Sequence, residues 1–223
     1  MTTGPARIVQ PFVVGIAGGS GAGKSALTRA IATALGADRV AVLAHDAYYR
    51  DRSDLPAAAR AALDFDTPQA LDQDLFRAHL VRLRQGQAVR PPSYCFVTHT
   101  RRGLAEPVEP REILLVEGIL LLQDPLVQAL LHLSIYVDAP ESVRVARRLA
   151  RDCVERGRRA EDVAEQCRTT VLAAHARWVE PTRARADLVL VNAGPVDTVA
   201  ELATAVIRAR LASPRDPASQ VRT

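Results

Sequence analysis

The chain has 223 residues, 48% of them hydrophobic and 24% charged, which fits one soluble α/β domain and excludes a disordered, collagen-like or disulfide-stapled chain. Net charge is +4 with no basic run interleaved with aromatics, so the excess suits small anionic ligands and argues against a nucleic-acid partner. The longest apolar run, 113–122, is too short to span a bilayer and carries Glu117, so no membrane partner is expected.

The elements alternate along the chain. The apolar stretch from Ile8 to Ala17 has no small-residue cleavage pattern and runs straight into a glycine loop, so it is read as structure rather than a signal peptide. Within it, 11–17 predicts a first strand. A helix follows over 24–36, with Ala26, Leu27, Ala30, Ile31, Ala34 and Leu35 on one face and Gly36 as its stop. A buried strand is predicted over 39–46. The stretch 67–86 predicts one helix, with Thr67 as N-cap, Pro68 at the first helical position and Gly86 at its end. Residues 87–110 break the pattern: they are proline-rich and polar, with a β-like stretch inside, and too long for a plain connection. Strands follow at 112–118 and 133–140, then a helix over 141–157. A further helix runs from about Glu161 to Val179 and must end before Pro181. A fifth strand at 186–191, a helix from Asp197 to Leu211 and a loose tail over 213–223 complete the chain. Short strands apolar on both faces, separated by helices, predict a five-stranded parallel sheet covered on both sides. Cys95, Cys153 and Cys167 show no metal-ligand spacing and read as free thiols of a cytoplasmic protein.

Chemistry gathers at the carboxyl ends of the predicted strands, where ligands bind in open parallel sheets. Gly18, Gly19, Ser20, Gly21, Ala22, Gly23, Lys24 and Ser25 spell a phosphate-binding P-loop between a strand and a helix. Its glycines allow a nest of N–H donors, the helix N-terminus attracts phosphate, Lys24 reaches the β- and γ-phosphates and Ser25 can ligate Mg²⁺. Lys24 is the only lysine in the chain. The second strand delivers Asp46 and the third Glu117. One carboxylate can accept a proton from an attacking hydroxyl, while the other holds Mg²⁺ through its water shell. The bland alternative for Asp46 is a helix N-cap. Arg144, Arg148 and Arg151 lie on the helix face opposite Val143, Ala146, Leu149 and Cys153, and Arg156, Arg158 and Arg159 flank Gly157. They form either a solvated helix face or a mobile lid, at about 152–163, that brings guanidinium groups over phosphates.

From about Val13 to Val191 the chain resembles the uridine–cytidine kinases of the P-loop kinase superfamily. The resemblance rests on "GIAGGSGAGKS", "HDAYYRD", "DFDTPQALD", "PPSYCFVTHTR", "VEGILLL", "YVDAPESVRVARRLARDCVERGR" and "VEPTRARADLVL". It implies a single P-loop kinase domain over 1–223, with a β-hairpin-like substrate insertion at 87–110 and an arginine-rich lid. It implies transfer of the γ-phosphoryl group of ATP or GTP to the 5′-hydroxyl of a pyrimidine nucleoside, with Mg²⁺ as cofactor. Asp46 would be the general base, Asp66 would hold the ribose hydroxyls with Arg148 and Gln166, and Phe65, Tyr94, Phe96 and His99 would form the base pocket with Arg158 nearby. Arg151 and Arg156 would bind donor phosphates, with Arg151 and Lys24 acting in catalysis, and Ser25 and Glu117 would serve the metal. It also implies a homo-oligomer, commonly a tetramer.

The sequence departs from the family at Thr67, where His is common, and at "VNAGPVD" (191–197), where an Arg-Gly-Gly-like loop is usual near the donor base. Two other readings stay open: a related P-loop kinase acting on phosphoribulose, pantothenate or nicotinamide riboside, and a nucleotide-binding switch that needs no nucleoside pocket.

Overall fold

The computed structural model describes residues 10–213, so the tail expected over 213–223 lies outside them from residue 214 onward. β1 (Phe12–Gly18) leads through the glycine loop into α1 (Lys24–Leu35), then β2 (Val40–Ala44) and a 3₁₀ turn at His45–Tyr48. α2 (Ala57–Ala61) and α3 (Gln73–Arg84) precede an antiparallel hairpin of β3 (Pro92–Cys95) and β4 (Thr100–Leu104). β5 (Ile113–Glu117), α4 (Pro125–Gln128), β6 (Leu133–Asp138) and α5 (Glu141–Arg156) follow. α6 (Ala160–Gln166), α7 (Leu172–Ala174), β7 (Leu188–Val191) and α8 (Val196–Ala212) close the described chain.

The five-stranded sheet has the order β2-β5-β1-β6-β7 and all its pairs are parallel. The period of two along each strand divides the core into two layers. Val13, Ala17, Leu114 and Val116 meet Phe76 and Leu80 of α3 on one face. Val14, Ile16, Ile113, Leu115, Ile135 and Val137 meet Leu27 and Ile31 of α1 and Val199, Ala203 and Ile207 of α8 on the other. Thr28, rather than the expected Ala34, completes the buried face of α1. All five strands point their carboxyl ends the same way, and the connections after the adjacent strands β1 and β6 run to opposite edges of the sheet, toward β2 and β7, which opens a crevice at that end.

Three helical predictions need correction. The helix predicted over 67–86 does not start at Thr67: Pro68–Ala70 is a separate 3₁₀ turn and Leu71 is extended and buried in the core. Leu71 forms an isolated bridge with Tyr49, and the helix restarts at Asp72, whose side chain accepts from the Leu75 amide at 3.3 Å. Burying Leu71 outweighs helical continuity, and Asp72 is the effective cap. Thr67 instead donates to the Asp64 carbonyl at 3.3 Å.

The helix expected up to Val179 is interrupted by π turns at Cys167–Val171 and His175–Val179. The buried positions run Val163, Cys167, Val171, Ala174 and Val179, and the widened last turn brings Val179 back to the core. The chain then continues past Pro181 as a 3₁₀ helix, Glu180–Arg185, because proline in a first turn forfeits no internal hydrogen bond.

α5 inverts the usual amphipathic rule. Arg144, Arg148 and Asp152 are its buried residues, while Val154 is 85% exposed. The solvated-face alternative therefore fails for Arg144 and Arg148, whereas Arg159, beyond Gly157, is exposed beside Glu161. The stripe faces inward, over the glycine loop.

Candidate functional site

The loop after β1 is shaped by close backbone approach. Gly21 and Gly23 have φ of +79° and +95°, and a Cβ would fall 2.1 Å from the Arg144 carbonyl oxygen and 2.4 Å from Asn192 Nδ2 respectively. Only glycine fits at either position. α1 begins directly at Lys24, so its unpaired first-turn amides face the crevice. The Lys24 side chain folds back, and Nζ donates to the Gly19 carbonyl at 3.0 Å. Burial lowers the Lys24 pKa, against the opposing pull of Glu117 and Asp46.

Ser25 Oγ donates to Glu117 Oε1 at 2.8 Å, at the carboxyl ends of β1 and β5. Burial raises the pKa of Glu117, opposed first by Lys24. Asp46 sits in the turn after β2. It caps no helix, since Ala44 holds the cap position without a side-chain bond, and Asp46 Oδ1 is buried with no hydrogen-bond partner. Ser25, Glu117 and Asp46 thus present hard oxygen donors of the kind Mg²⁺ prefers. Among the described residues no group of three or more His, Cys, Asp or Glu side chains could hold a metal alone, so an ion here would share its shell with phosphates and water.

A second group of side chains forms a cavity beside these. Its wall comes from the hairpin and from the segment before α3. His99, at φ 54°, turns the hairpin and stacks on Phe65, with ring centroids 4.3 Å apart at 12°. Tyr94 and Phe96 meet edge to face at 5.2 Å. Burial pushes the Tyr94 hydroxyl up to about 12 and lowers the His99 pKa. Tyr94 Oη and His99 Nδ1 are buried without hydrogen-bond partners, and a ligand bearing complementary polar groups would satisfy them.

Asp66 is 7% exposed; burial raises its pKa, and Arg148, 3.4 Å away, opposes that shift. Arg148 also donates to Ser20 Oγ at 2.9 Å and to Gln166 Oε1 at 3.1 Å, and Arg158 donates to the same Gln166 oxygen at 2.7 Å. Phe65, Asp66, Tyr94, Phe96, His99, Arg148, Arg158 and Gln166 all line this one cavity, together with Ser20, Lys24, Ser25, Asp46, Glu117, Arg151 and Arg156.

A larger cleft of ≈ 740 Å³, sized for a nucleotide, opens on the other side of Lys24, between the glycine loop and the hairpin. Gly21 and Gly23 line it, whereas Gly18 ends β1 and Gly19 and Ala22 are buried. The cleft and the cavity share Lys24, Ser25, Asp46, Glu117, Arg151 and Arg156, and the rings of Tyr94 and Phe96 also stand between them. A phosphate chain in one and a hydroxyl in the other would meet at the six charged or hydroxyl-bearing aliphatic members of that shared set. The Arg156 guanidinium also sits 4.5 Å from the Phe96 ring, joining the end of α5 to the hairpin.

The sequence reading assigned no role to Tyr49, Ile119, Arg29, Arg102 or Arg147, which also line these spaces. Tyr49 is the detectable one: it lies in "HDAYYRD" and its ring contacts Phe65, Tyr94 and Phe96 at 5.3 to 6.3 Å. Arg147 carried no pattern, and Asn192 lies in "VNAGPVD", which departs from the family. Asn192 Nδ2 donates to the Ala22 carbonyl at 2.8 Å, and Arg147 donates to the Asn192 carbonyl at 3.0 Å, a tie across 170 and 45 residues of sequence.

Comparison with known proteins points to one family. The model of the phosphoribulokinase / uridine kinase family matches residues 13–200. The uridine kinase of Chloroflexus aggregans is 43% identical over 203 residues, covering 91% of this chain and 97% of that protein. The uridine kinase of Deinococcus deserti is 41% identical over 200 residues, covering 90% of this chain and 97% of that protein. Among solved structures, phosphoribulokinase from Rhodobacter spheroides superposes with a TM-score of 0.59 at 16% identity, over 82% of this chain and 70% of that one, a likeness of fold. D-glycerate 3-kinase from Cryptococcus neoformans gives 0.55 at 14%, over 78% and 80%.

Proposed function

The chain belongs to the phosphoribulokinase / uridine kinase family, and from that premise we infer that it is a uridine kinase, a phosphotransferase with an alcohol group as acceptor. ATP donates its γ-phosphoryl group to the 5′-hydroxyl of uridine or cytidine, giving the nucleoside monophosphate. GTP is read as a second donor. The observation that carries this reading is the shared floor of cavity and cleft, where Asp46 and Lys24 stand between a polar-aromatic pocket and the glycine loop.

The chemistry follows from charge placement. The triphosphate lies along the glycine loop, with its β- and γ-phosphates at Lys24 and the first amides of α1. Ser25 and Glu117 would hold Mg²⁺, which neutralises phosphate charge when bound. Asp66, braced by Arg148, takes the ribose hydroxyls, and Phe65, Tyr94, Phe96 and His99 enclose the base. Asp46 accepts the 5′-hydroxyl proton as that oxygen bonds to the γ-phosphorus and the bond to the bridging β–γ oxygen breaks. Arg151 and Arg156 stabilise the charge spread over the transferring group. The stretch at about 152–163 acts as the lid. The same reading makes the chain one domain, cytoplasmic with free thiols, acting as a homo-oligomer on small molecules rather than on nucleic acid or membrane. No helix among the described residues is long and apolar enough to cross a membrane.

Steady-state kinetics over a panel of nucleosides and donors with Mg²⁺ test this. Donor consumption should require uridine or cytidine. Consumption without any nucleoside would favour a nucleotide switch, and activity only on phosphoribulose, pantothenate or nicotinamide riboside would move the chain to another branch of the family.

A further inference from the structure

One buried carboxylate stands outside the mechanism above. Asp152, in the last turns of α5, has a fully buried side chain. Its Oδ1 accepts from Arg151 Nε at 2.9 Å and lies 3.3 Å from Arg156 Nη1. Its Oδ2 lies 3.7 Å from Arg148 Nε and 3.6 Å from Arg158 Nη1. Four guanidinium groups therefore share one negative charge.

Those four belong to two sides of the site. Arg148 and Arg158 line the nucleoside cavity alone, and both grip Gln166. Arg151 and Arg156 line the phosphate cleft as well. Nothing else among the described residues pairs with members of both sets in this way: Asp66 pairs only with Arg148. Resting on the uridine kinase reading, we propose that Asp152 is a positioning residue that couples the two substrate sites, so that bound triphosphate raises nucleoside affinity and the reverse.

The physical reason is competition for a single counter-charge. Phosphate oxygens draw Arg151 and Arg156 away from Oδ1. The carboxylate charge, held at low dielectric, then acts mainly on Arg148 and Arg158. Drawn at Nε toward Oδ2, Arg148 keeps Nη1 on Asp66 and Nη2 on Gln166, and the nucleoside cavity is ordered before its ligand arrives. Linkage makes the effect reciprocal.

The test is calorimetric titration of uridine into the full chain, with and without a saturating non-hydrolysable ATP analogue and Mg²⁺. The analogue should raise uridine affinity about fivefold or more in the wild type. Asp152→Asn keeps the shape and removes the charge. It should still bind each ligand alone, but the ratio should fall to within about twofold of one, and Asp152→Glu should restore part of it. A purely structural role would weaken both ligands and leave the ratio unchanged. Where Asp152→Asn fails to fold, Arg158→Gln decides, because Arg158 is a partly exposed member of the nucleoside set: the ratio should drop while analogue affinity without uridine holds. No enhancement in the wild type, or the wild-type ratio in a folded Asp152→Asn or in Arg158→Gln, removes Asp152 as the coupler. Absence of any nucleoside binding to the wild type instead overturns the uridine kinase reading itself.

Discussion

Lys24 stands in a chain that otherwise uses arginine for every fixed positive charge. Its stem threads back beneath the loop and Nζ reaches the Gly19 carbonyl at 3.0 Å, in a space 7% exposed. A planar guanidinium is too broad for that path and aims its donors elsewhere. Lys24→Arg should cost about 100-fold or more in kcat, the scale of losing one transition-state donor, with the fold intact by circular dichroism. Asp46→Asn should lower phosphoryl transfer by about 100-fold or more while calorimetry still detects uridine binding; near-wild-type turnover would remove Asp46 as the base. His45, beside it, is a different kind of residue. It is buried, its Nε2 lies 3.2 Å from Gln73 Oε1, and burial lowers its pKa from 6.5 to about 4. Between those values the unfolded chain binds the extra proton. The stability gained by keeping the ring neutral is therefore complete above pH 6.5 and lost as pH falls toward 4. That loss is about 2 kcal/mol at pH 5, and His45→Gln should flatten this part of the urea-denaturation profile between pH 7 and pH 5.

The hairpin shows how an element acquires a fixed place. β3 and β4 pair mainly with each other, and a two-stranded ribbon is marginal alone. Arg101 anchors it. Its Nε donates to the Tyr49 carbonyl at 2.9 Å, and its Nη2 to the Tyr48 carbonyl and to Asp72 Oδ2, each at 3.3 Å. The Arg101 amide donates to Asp51 at 3.1 Å. The turn carrying Asp46, the start of α3 and the hairpin proposed to bind the base are thus held by one guanidinium. Arg101→Ala should raise the uridine KM about tenfold, the worth of one charged hydrogen bond or more, with the donor KM changed less than about twofold. An equal rise in both would show general loosening instead. The proline-rich composition of 87–110 signalled an excursion, but not where it docks, because Arg101 meets partners up to 53 residues away. The start of α3 was misplaced for a similar reason. Thr67-Pro68 is a sound local start signal, and the core's demand for Leu71 overrode it.

At the scale of the whole molecule, stability and chemistry occupy different ends of the same sheet. The layer of α1 and α8 is apolar and meets the candidate site only through the glycine loop and the first two turns of α1. Ile31→Ala should therefore cost about 2–5 kcal/mol in urea denaturation and leave kcat at 25 °C within about twofold. Sequence alone determined the parallel sheet, its five strands, the glycine loop and the two strand-end carboxylates, because these depend on local signals: a period of two, a period of 3.6, and glycines at fixed spacing. The family motifs in "HDAYYRD" and "PPSYCFVTHTR" carried Asp46, Tyr94, Phe96 and His99 of the cavity as well. Only the tertiary structure decided which way α5 faces. Hydrophobic periodicity would turn Val143, Ala146 and Leu149 inward, yet Arg148 and Asp152 are buried: Arg148 is met by Asp66 and Ser20, 82 and 128 residues away, and Asp152 by the guanidinium groups that converge on it. A buried charge is tolerable only where its partners converge, and that convergence exists in space before it can be read in any stretch of chain.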